Sequence, residues 1–391
     1  LSHIVEFTVD GLAGRDEAYS QKLRRDVNIF FGPNGSGKTS LLKILHSAMS
    51  LNTAVLANVA FKTAEVKIYS ANYDKVFTRS IKKNGEKTTT LTHVLPKTVP
   101  QQFIFHEGGE PWGRVILSSE LPEWKTKPQK QSDTTTWHHQ YLPTSRLWLS
   151  PLTSSLVASE AIRTEEELDS RFQTSLEALW RSYFGEILTK VRQAQEEGLA
   201  NILKWILSSD TRRAKHKAED LDAETAYKRV QSFLARQNSE GILGPLDSFS
   251  RRYKGALLKH VVNYIDEVEQ RIEDAMSPRD KLQSLITSMF SGNKTVAFTE
   301  KSIEVKAEDK AKIGLASLSS GEKQVLRILV EALLADQSSI IVDEPEISMH
   351  VDWQRELISA MSSVSPNAQL IIATHSPEIM ADIDDSKIFR I

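Results

Sequence analysis

The chain has 391 residues, a formal net charge of −2, 40% hydrophobic residues and no cysteine. That length exceeds one ordinary core, so a large domain carrying an insertion is expected. The balanced charge gives no whole-molecule attraction to nucleic acid or anionic lipid; disulfides and thiolate metal sites are excluded, and no apolar run reaches the ~20 residues of a membrane span. The first residues lack the basic start and apolar stretch of a secretory signal, which points to the cytoplasm. The opening on Leu1 implies an initiator methionine removed or outside this sequence.

Residues Ile4–Val9 alternate apolar and polar and read as a half-buried strand. Val27–Phe31 is a short apolar run of the buried parallel type. After Thr39, Leu41, Leu42, Ile44 and Leu45 fall on one side of a helix. Strand-like pieces follow at Ala64–Tyr69, Lys75–Ile81, Thr88–Val94 and Gln102–Phe105, with Asn84-Gly85 as a hairpin signal, so an antiparallel layer is expected beside the core. Residues 119–136, rich in Pro, Lys, Ser and Thr, read as a loop, and His139–Pro143 as a further core strand.

From about 151 the character changes. Leu168, Phe172, Leu176, Leu179, Tyr183, Ile187 and Val191 recur at helical spacing, as do Tyr253, Leu257, Val261, Tyr264, Val268, Ile272 and Met276. Two long amphipathic helices in a helical insertion follow, with Gly241, Gly244 and Pro245 breaking the chain before the second. The chain then returns to the core through strands at Ser302–Val305 and Ile313–Leu315. Ser339–Val342 and Gln369–Ala373 are read as strands, Gln354–Met361 as a helix and Lys387–Ile391 as a last short strand. The domains expected are 1–150, 151–294 for the insertion, and 295–391.

Gly32-Pro33-Asn34-Gly35-Ser36-Gly37-Lys38-Thr39 satisfies G-x-x-x-x-G-K-[ST], between a predicted strand and a predicted helix. In that context backbone N–H groups converge on phosphates at the helix N-terminus. Gly32 through Thr39, with Ser40 next in the helix, are therefore the nucleotide-binding candidates. Lys38 is expected to reach the β- and γ-phosphates, and Thr39 to offer its hydroxyl to Mg²⁺, which prefers hard oxygen donors. Ile340-Ile341-Val342-Asp343-Glu344-Pro345 is an apolar strand ending in two acids. Such acids lie beside the phosphate loop in an open α/β sheet, with Asp343 on the metal side and Glu344 as the base for the attacking water.

Leu318-Ser319-Ser320-Gly321-Glu322-Lys323-Gln324 reads first as a helix start with Ser319 or Ser320 at the N-cap, though its serine hydroxyl and glycine are also what a second phosphate contact requires. His375, in Ala373-Thr374-His375-Ser376-Pro377, follows an apolar strand. His138-His139 lacks helical metal-ligand spacing and is not read as a metal site. Arg212-Arg213-Lys215-Lys217 and Arg251-Arg252-Lys254 are read as solvated helix faces.

The segment 318–324 resembles the signature motif of ABC-type ATPases, in the Glu-Lys form of the SMC and Rad50 branch. Asp343-Glu344-Pro345-Glu346-Ile347-Ser348-Met349-His350 resembles the corresponding run of OLD-like ATPases. The resemblance covers about 1–150 and 295–391. It implies an α/β ABC-type P-loop NTPase core with an antiparallel β layer and a helical, coiled-coil-like insertion. It implies that two copies close over ATP and Mg²⁺, with Ser319 and Gly321 of one copy meeting the γ-phosphate held by the other; Ser320, which departs from the family's usual second glycine, and Glu322 are the further nucleotide-binding candidates of this motif. It makes His375 the switch histidine supporting Glu344, and places 346–350 at the dimer interface. A glutamine at the metal is also expected; Gln140 is the candidate, with Thr144 or Ser145 as alternatives for that position.

No nuclease domain is expected after His375, unlike in full-length OLD proteins. The expectation is an ATPase subunit of an anti-phage defence complex, similar to those of PARIS-type or Septu-type systems. Its partners would be further copies of itself, a separate nuclease or TOPRIM effector and a phage-encoded trigger. The rival readings are an SMC/Rad50-like DNA-repair clamp, which adds DNA as a partner, and the nucleotide-binding subunit of a transporter.

Overall fold

The computed structural model describes residues 2–83, 122–127, 136–144, 165–207, 222–236, 243–253, 256–290, 294–307 and 311–391. The strands are β1 (Ser2–Asp10), β2 (Tyr19–Lys22), β3 (Val27–Phe31), β4 (Thr63–Ser70), β5 (Lys75–Lys82), β6 (Lys125–Lys127), β7 (His139–Leu142), β8 (Lys294–Phe298), β9 (Ile303–Ala307), β10 (Lys312–Ile313), β11 (Ser339–Asp343), β12 (Gln369–Thr374) and β13 (Ile388–Arg390). The helices are α1 (Lys38–Ser50), α2 (Glu165–Leu207), α3 (Ala223–Arg236), α4 (Leu246–Tyr253), α5 (Ala256–Met289), α6 (Ser320–Ala335), α7 (Val351–Val364) and α8 (Pro377–Met380). The chain forms two compact units, Leu1–Trp180 with Lys281–Ile391, and Arg181–Asp280.

The larger unit is built on a parallel sheet of order β13-β3-β12-β11-β7. Its central strands β11 and β12 are buried along their whole length, which explains why they read as continuous Ile/Val/Leu runs rather than alternating ones. β12 lies between β3 and β11. Phe31 is in register with Thr374, and Ala373 with Asp343, so the strand ends leading to the glycine loop, His375 and Glu344 stand side by side. An antiparallel sheet of order β2-β1-β4-β5-β6 packs beside it, burying Ile4, Phe7, Val9, Val66, Ile68 and Phe77 against Phe30 and α1. Each such apolar side chain contributes roughly 1.5–3 kcal/mol on burial. Gln369, fully buried, clips the two sheets together: its Nε2 donates to the Ile4 carbonyl at 2.7 Å, and its Oε1 accepts from the Ile4 amide at 2.9 Å. A third sheet, β10-β9-β8, is antiparallel.

Helix α1 begins directly after Gly37, whose φ of 98° is a backbone state that favours glycine. Its far end is held by Arg79 of β5. This fully buried guanidinium donates to the carbonyls of Ala48 and Met49 and lies 4.0 Å from the Trp137 ring centroid. A cation at a helix C-terminus is favoured by the helix dipole, and the indole face adds to it.

Several elements differ from the sequence reading. Within 119–136, Lys125–Lys127 is an edge strand, with Thr126 buried beneath it against Arg79 at 3.3 Å. β8 and α3 are additional elements. Tyr253 ends α4 rather than starting the long helix, and α5 continues through Pro278 to Met289. Proline removes one helical hydrogen bond, and the buried side chains of Leu282 and Ile286 anchor the turns beyond it. Strand pieces expected at Thr88–Val94 and Gln102–Phe105, the Asn84-Gly85 hairpin, the 212–217 basic run and Ser145 lie outside the described residues.

In the smaller unit, Ala226, Val230, Phe249, Tyr253, Val262 and Ile265 form a core between α3, α4 and α5. α2 approaches α5 closely at Gly198, where a β-carbon would lie 2.1 Å from Val268 Cγ2. Arg271 donates to Glu197 at 2.7 Å across the same pair of helices. Among the described residues, no helix is long and apolar enough to cross a membrane.

Candidate functional site

The glycine loop turns from β3 into α1 with Gly35 and Gly37 at positive φ, and with Pro33, Asn34 and Gly35 exposed. Lys38 is buried and donates through Nζ to the Gly32 and Pro33 carbonyls at 2.7 and 3.0 Å. Its ammonium thus folds over the loop it belongs to. Thr39 and Ser40 follow, half-buried, in the first turn of α1. The Ser36 hydroxyl is buried without a hydrogen-bond partner among the described residues. Arg15, which the sequence reading did not single out, donates to the Ser36 carbonyl at 3.0 Å from the turn after β1. That turn packs on the loop: a β-carbon on Gly37 would meet Ala13 at 3.0 Å. The Gly11-Leu12-Ala13-Gly14 spacing was its one signal.

Asp343 and Glu344 stand at the end of β11. Asp343 is fully buried, and its Oδ2 accepts a hydrogen bond from the Thr144 hydroxyl at 2.8 Å. Gln140 lies lower on β7, in register with Ile340, three residues before Asp343. The residue brought to the carboxylate is therefore Thr144, because β7 runs parallel to β11 and only its C-terminal extension reaches that level. Glu344 adopts a φ of 45°, uncommon for a residue with a side chain, and its amide donates to Ala373 O at 2.8 Å. Its Oε1 is 3.6 Å from His375 Nδ1, beyond hydrogen-bond length, whereas Glu346 Oε1 is 3.1 Å from the same nitrogen. Glu346, to which the sequence reading gave no role of its own, is buried beneath the turn that carries His375.

Behind the acids lies a neutral aromatic cluster. The Tyr141 ring stacks on His46 at 4.4 Å, and burial together with the nearby Asp343 carboxylate pushes its phenol up. His139 Nδ1 faces the Trp137 carbonyl at 2.9 Å and so carries the proton; its Nε2 then accepts from His46 Nδ1 at 2.7 Å. Burial pushes His46 down to about 3 and His139 down to about 4. His138 contacts Ser338 Oγ at 3.2 Å.

Ser319 is the N-cap of α6. Its hydroxyl accepts from the Glu322 amide at 3.3 Å while the Glu322 carboxylate accepts from the Ser319 amide at 2.6 Å, a reciprocal capping box. Burial opposes ionisation of Glu322, but the Ser319 amide and the Lys294 ammonium at 3.0 Å hold its carboxyl below the ordinary value. Within one chain, Ser319 and Glu322 are thus engaged with each other, while Ser320 is exposed. Gly321 touches the loop after the acids, and Gln324 donates to the Pro345 carbonyl at 2.6 Å. His350 is the exposed N-cap of α7, accepting from the Asp352 amide at 3.4 Å.

This donor set fits a nucleotide polyphosphate with a hard divalent cation. The glycine loop offers a lysine and a helix N-terminus, and Thr39 and Asp343 carry the hydroxyl and carboxylate oxygens that would hold Mg²⁺. A bound Mg²⁺ would supply charge neutralisation of the phosphates.

Such a fold and site define a P-loop NTPase. The chain belongs to the family described as "AAA domain, putative AbiEii toxin, Type IV TA system", whose model matches residues 162–381. That match takes in Ser319–Gly321, Asp343, Glu344 and His375; the glycine loop lies upstream of it. The chain is 20% identical over 385 residues to a protein named "Retron Vc95 probable ATPase" from Vibrio cholerae serotype O1 biovar El Tor, covering 93% of this chain and 68% of that protein. It is 29% identical over 96 residues to "Retron Ec83 probable ATPase" from Escherichia coli, covering 21% of this chain and 18% of that protein. Among solved structures, an Smc head domain with a coiled coil and joint from Pyrococcus yayanosii aligns at TM-score 0.45 with 10% identity, covering 100% of this chain and 95% of that one.

Proposed function

We propose that the chain is an ATP hydrolase whose pairing through ATP is the signal it delivers to a defence complex. The observation that supports the ATPase reading is the alignment of three strand ends on one sheet, Phe31 beside Thr374 and Ala373 beside Asp343, from which the glycine loop with Lys38 and Thr39, His375 and Glu344 lead on. Lys38 and the loop amides bind the triphosphate, and Thr39 and Asp343 hold Mg²⁺. Glu344 polarises the attacking water, its carboxylate lying beyond hydrogen-bond reach of His375. His375 addresses the γ-phosphate.

The Ser319–Gly321 turn, exposed at Ser319 and Ser320 with Gly321 buried, is the second half of the pocket, offered to the nucleotide of another copy. A helix N-terminus with a free serine at Ser320 suits a phosphate oxygen. A defence association is supported by the toxin–antitoxin description of the family and the retron names of two relatives; the proposal extends it to a sensor or scaffold subunit of the PARIS or Septu type that controls a separate nuclease in response to a phage-encoded trigger.

The test is twofold. Lys38→Ala should abolish ATP hydrolysis by the purified protein. In cells, the same substitution should remove a plating defect of phage that the wild-type locus imposes, and tagged wild-type protein should copurify with a nuclease. Hydrolysis unaffected by Lys38→Ala defeats the enzyme reading; unchanged plating with no nuclease recovered defeats the defence reading alone.

A further inference from the structure

The loop after the acids contains a third carboxylate, Glu346, that the hydrolytic scheme does not use. Glu346 is 6% exposed, yet Oε1 gathers three donors of the turn after β12. It accepts from the Thr374 hydroxyl at 2.6 Å, from the His375 amide at 2.9 Å and from the Ser376 amide at 3.2 Å. The same oxygen lies 3.1 Å from His375 Nδ1. Its other oxygen, Oε2, is buried with no hydrogen-bond partner among the described residues.

A carboxylate with one oxygen crowded and the other bare is a poor choice for a staple. An amide of the same size would accept the same three bonds without placing a charge in a buried site, where an unpaired charge is costly. What the carboxylate adds is negative charge beside an imidazole nitrogen. The carboxylate oxygen faces Nδ1 at 3.1 Å, which turns Nε2 to the opposite edge of the ring.

We infer that Glu346 is a positioning residue for His375: it fixes the Thr374–Ser376 turn through the backbone and engages Nδ1, so that Nε2 is the nitrogen presented to the γ-phosphate. This rests on the reading of His375 as the phosphate contact. In this scheme Glu346 acts through His375 and not on the nucleotide. It plays toward His375 the part that a carboxylate behind a metal-bound histidine plays in metalloenzymes, setting tautomer and ring orientation.

The experiment is a double-mutant cycle on ATP turnover with Glu346→Gln, His375→Ala and the combination, read as kcat and KM separately, with thermal melts of each protein. Loss of an orienting partner of this kind typically lowers activity about 10–100-fold. Glu346→Gln should therefore lower kcat by that factor while leaving KM for ATP and the melting temperature near wild type. The combined variant should be no slower than His375→Ala alone, since both changes remove one function. If His375→Ala is slow while Glu346→Gln keeps wild-type kcat, the inference is wrong and the ATPase reading stands. Multiplying losses in the double variant would also overturn it, because Glu346 would then act independently of His375. If His375→Ala itself turns over normally, the phosphate-contact reading fails first. Should Glu346→Gln unfold, Thr374→Val replaces it in the cycle: it removes one donor to the carboxylate and should slow the wild-type background but not the His375→Ala background.

Discussion

Gly321 sits against the backbone of Ser348: a β-carbon at Gly321 would lie 2.4 Å from the Ser348 carbonyl oxygen. Ser348 has a φ of 62°, a conformation that leaves its loop little freedom to yield. The glycine of the signature turn thus has a structural reason within a single chain, apart from any phosphate. Gly321→Ala should destabilise the folded protein by about 1–3 kcal/mol, the usual cost of overpacking a tight site. Urea melts of the purified variant check this; a midpoint equal to wild type would show that the loop relaxes freely.

Glu344→Gln should separate binding from chemistry. Its side chain keeps its size and loses the ability to take a proton, so turnover should fall roughly 100-fold or more. Binding of a fluorescent ATP analogue should remain near wild type. Lys38→Ala should instead lose the binding. Equal losses of binding in both variants would remove the case for Glu344 as the base.

Thr144 and Gln140 make opposite predictions. Thr144 donates to Asp343, whereas Gln140 lies in register with Ile340, lower on the sheet. Thr144→Val should reduce Mg²⁺-dependent turnover about 10–100-fold, as expected for a partner that orients a metal carboxylate. Gln140→Ala should have the smaller effect. A Mg²⁺ titration of both variants decides between them, and the reverse ranking would restore Gln140 to the metal.

The His46–His139 pair gives the larger unit an acid limit. Both rings are held neutral by burial, at about 3 and about 4, against an ordinary value of 6.5. Below 6.5 the unfolded chain therefore binds protons that the folded chain refuses, and stability falls as pH drops toward 4. It is fully present above 6.5. In His46→Gln/His139→Asn that part of the slope should vanish. Urea midpoints measured from about pH 7 to about pH 4.5 test this, and a slope unchanged from wild type would contradict it.

Much of this was legible before any coordinates. Val27–Phe31 and Ser339–Val342 are short and apolar apart from Asn28 and Ser339, and such runs leave few alternatives to buried parallel strands. Lys38, Thr39, Asp343 and Glu344 follow from those strands because chemistry at an open α/β sheet gathers at strand ends. What escaped depends on register or on tertiary partners. Whether Gln140 or Thr144 reaches Asp343 turns on how β7 aligns with β11, which no local pattern encodes. Glu346 gains meaning only when the turn after β12 folds over it, and Arg79 reads as an ordinary strand cation until the end of α1 lies beside it. The strand Lys125–Lys127 has two exposed lysines and one threonine, so neither apolar period nor propensity marks it.

The pairing of two copies over ATP is the claim on which the functional account turns, and complementation tests it most directly. Ser320→Glu places a negative charge at an exposed helix N-terminus, where it is tolerated in the fold but repels a triphosphate. Lys38→Ala disables the other half of the pocket. Each variant alone should be inactive. Mixed in equal amounts, they should regain roughly a quarter of wild-type ATP turnover, since half of randomly formed two-fold pairs carry one intact composite pocket of two. Full activity of Ser320→Glu by itself, or a mixture as inactive as its components, would contradict the account.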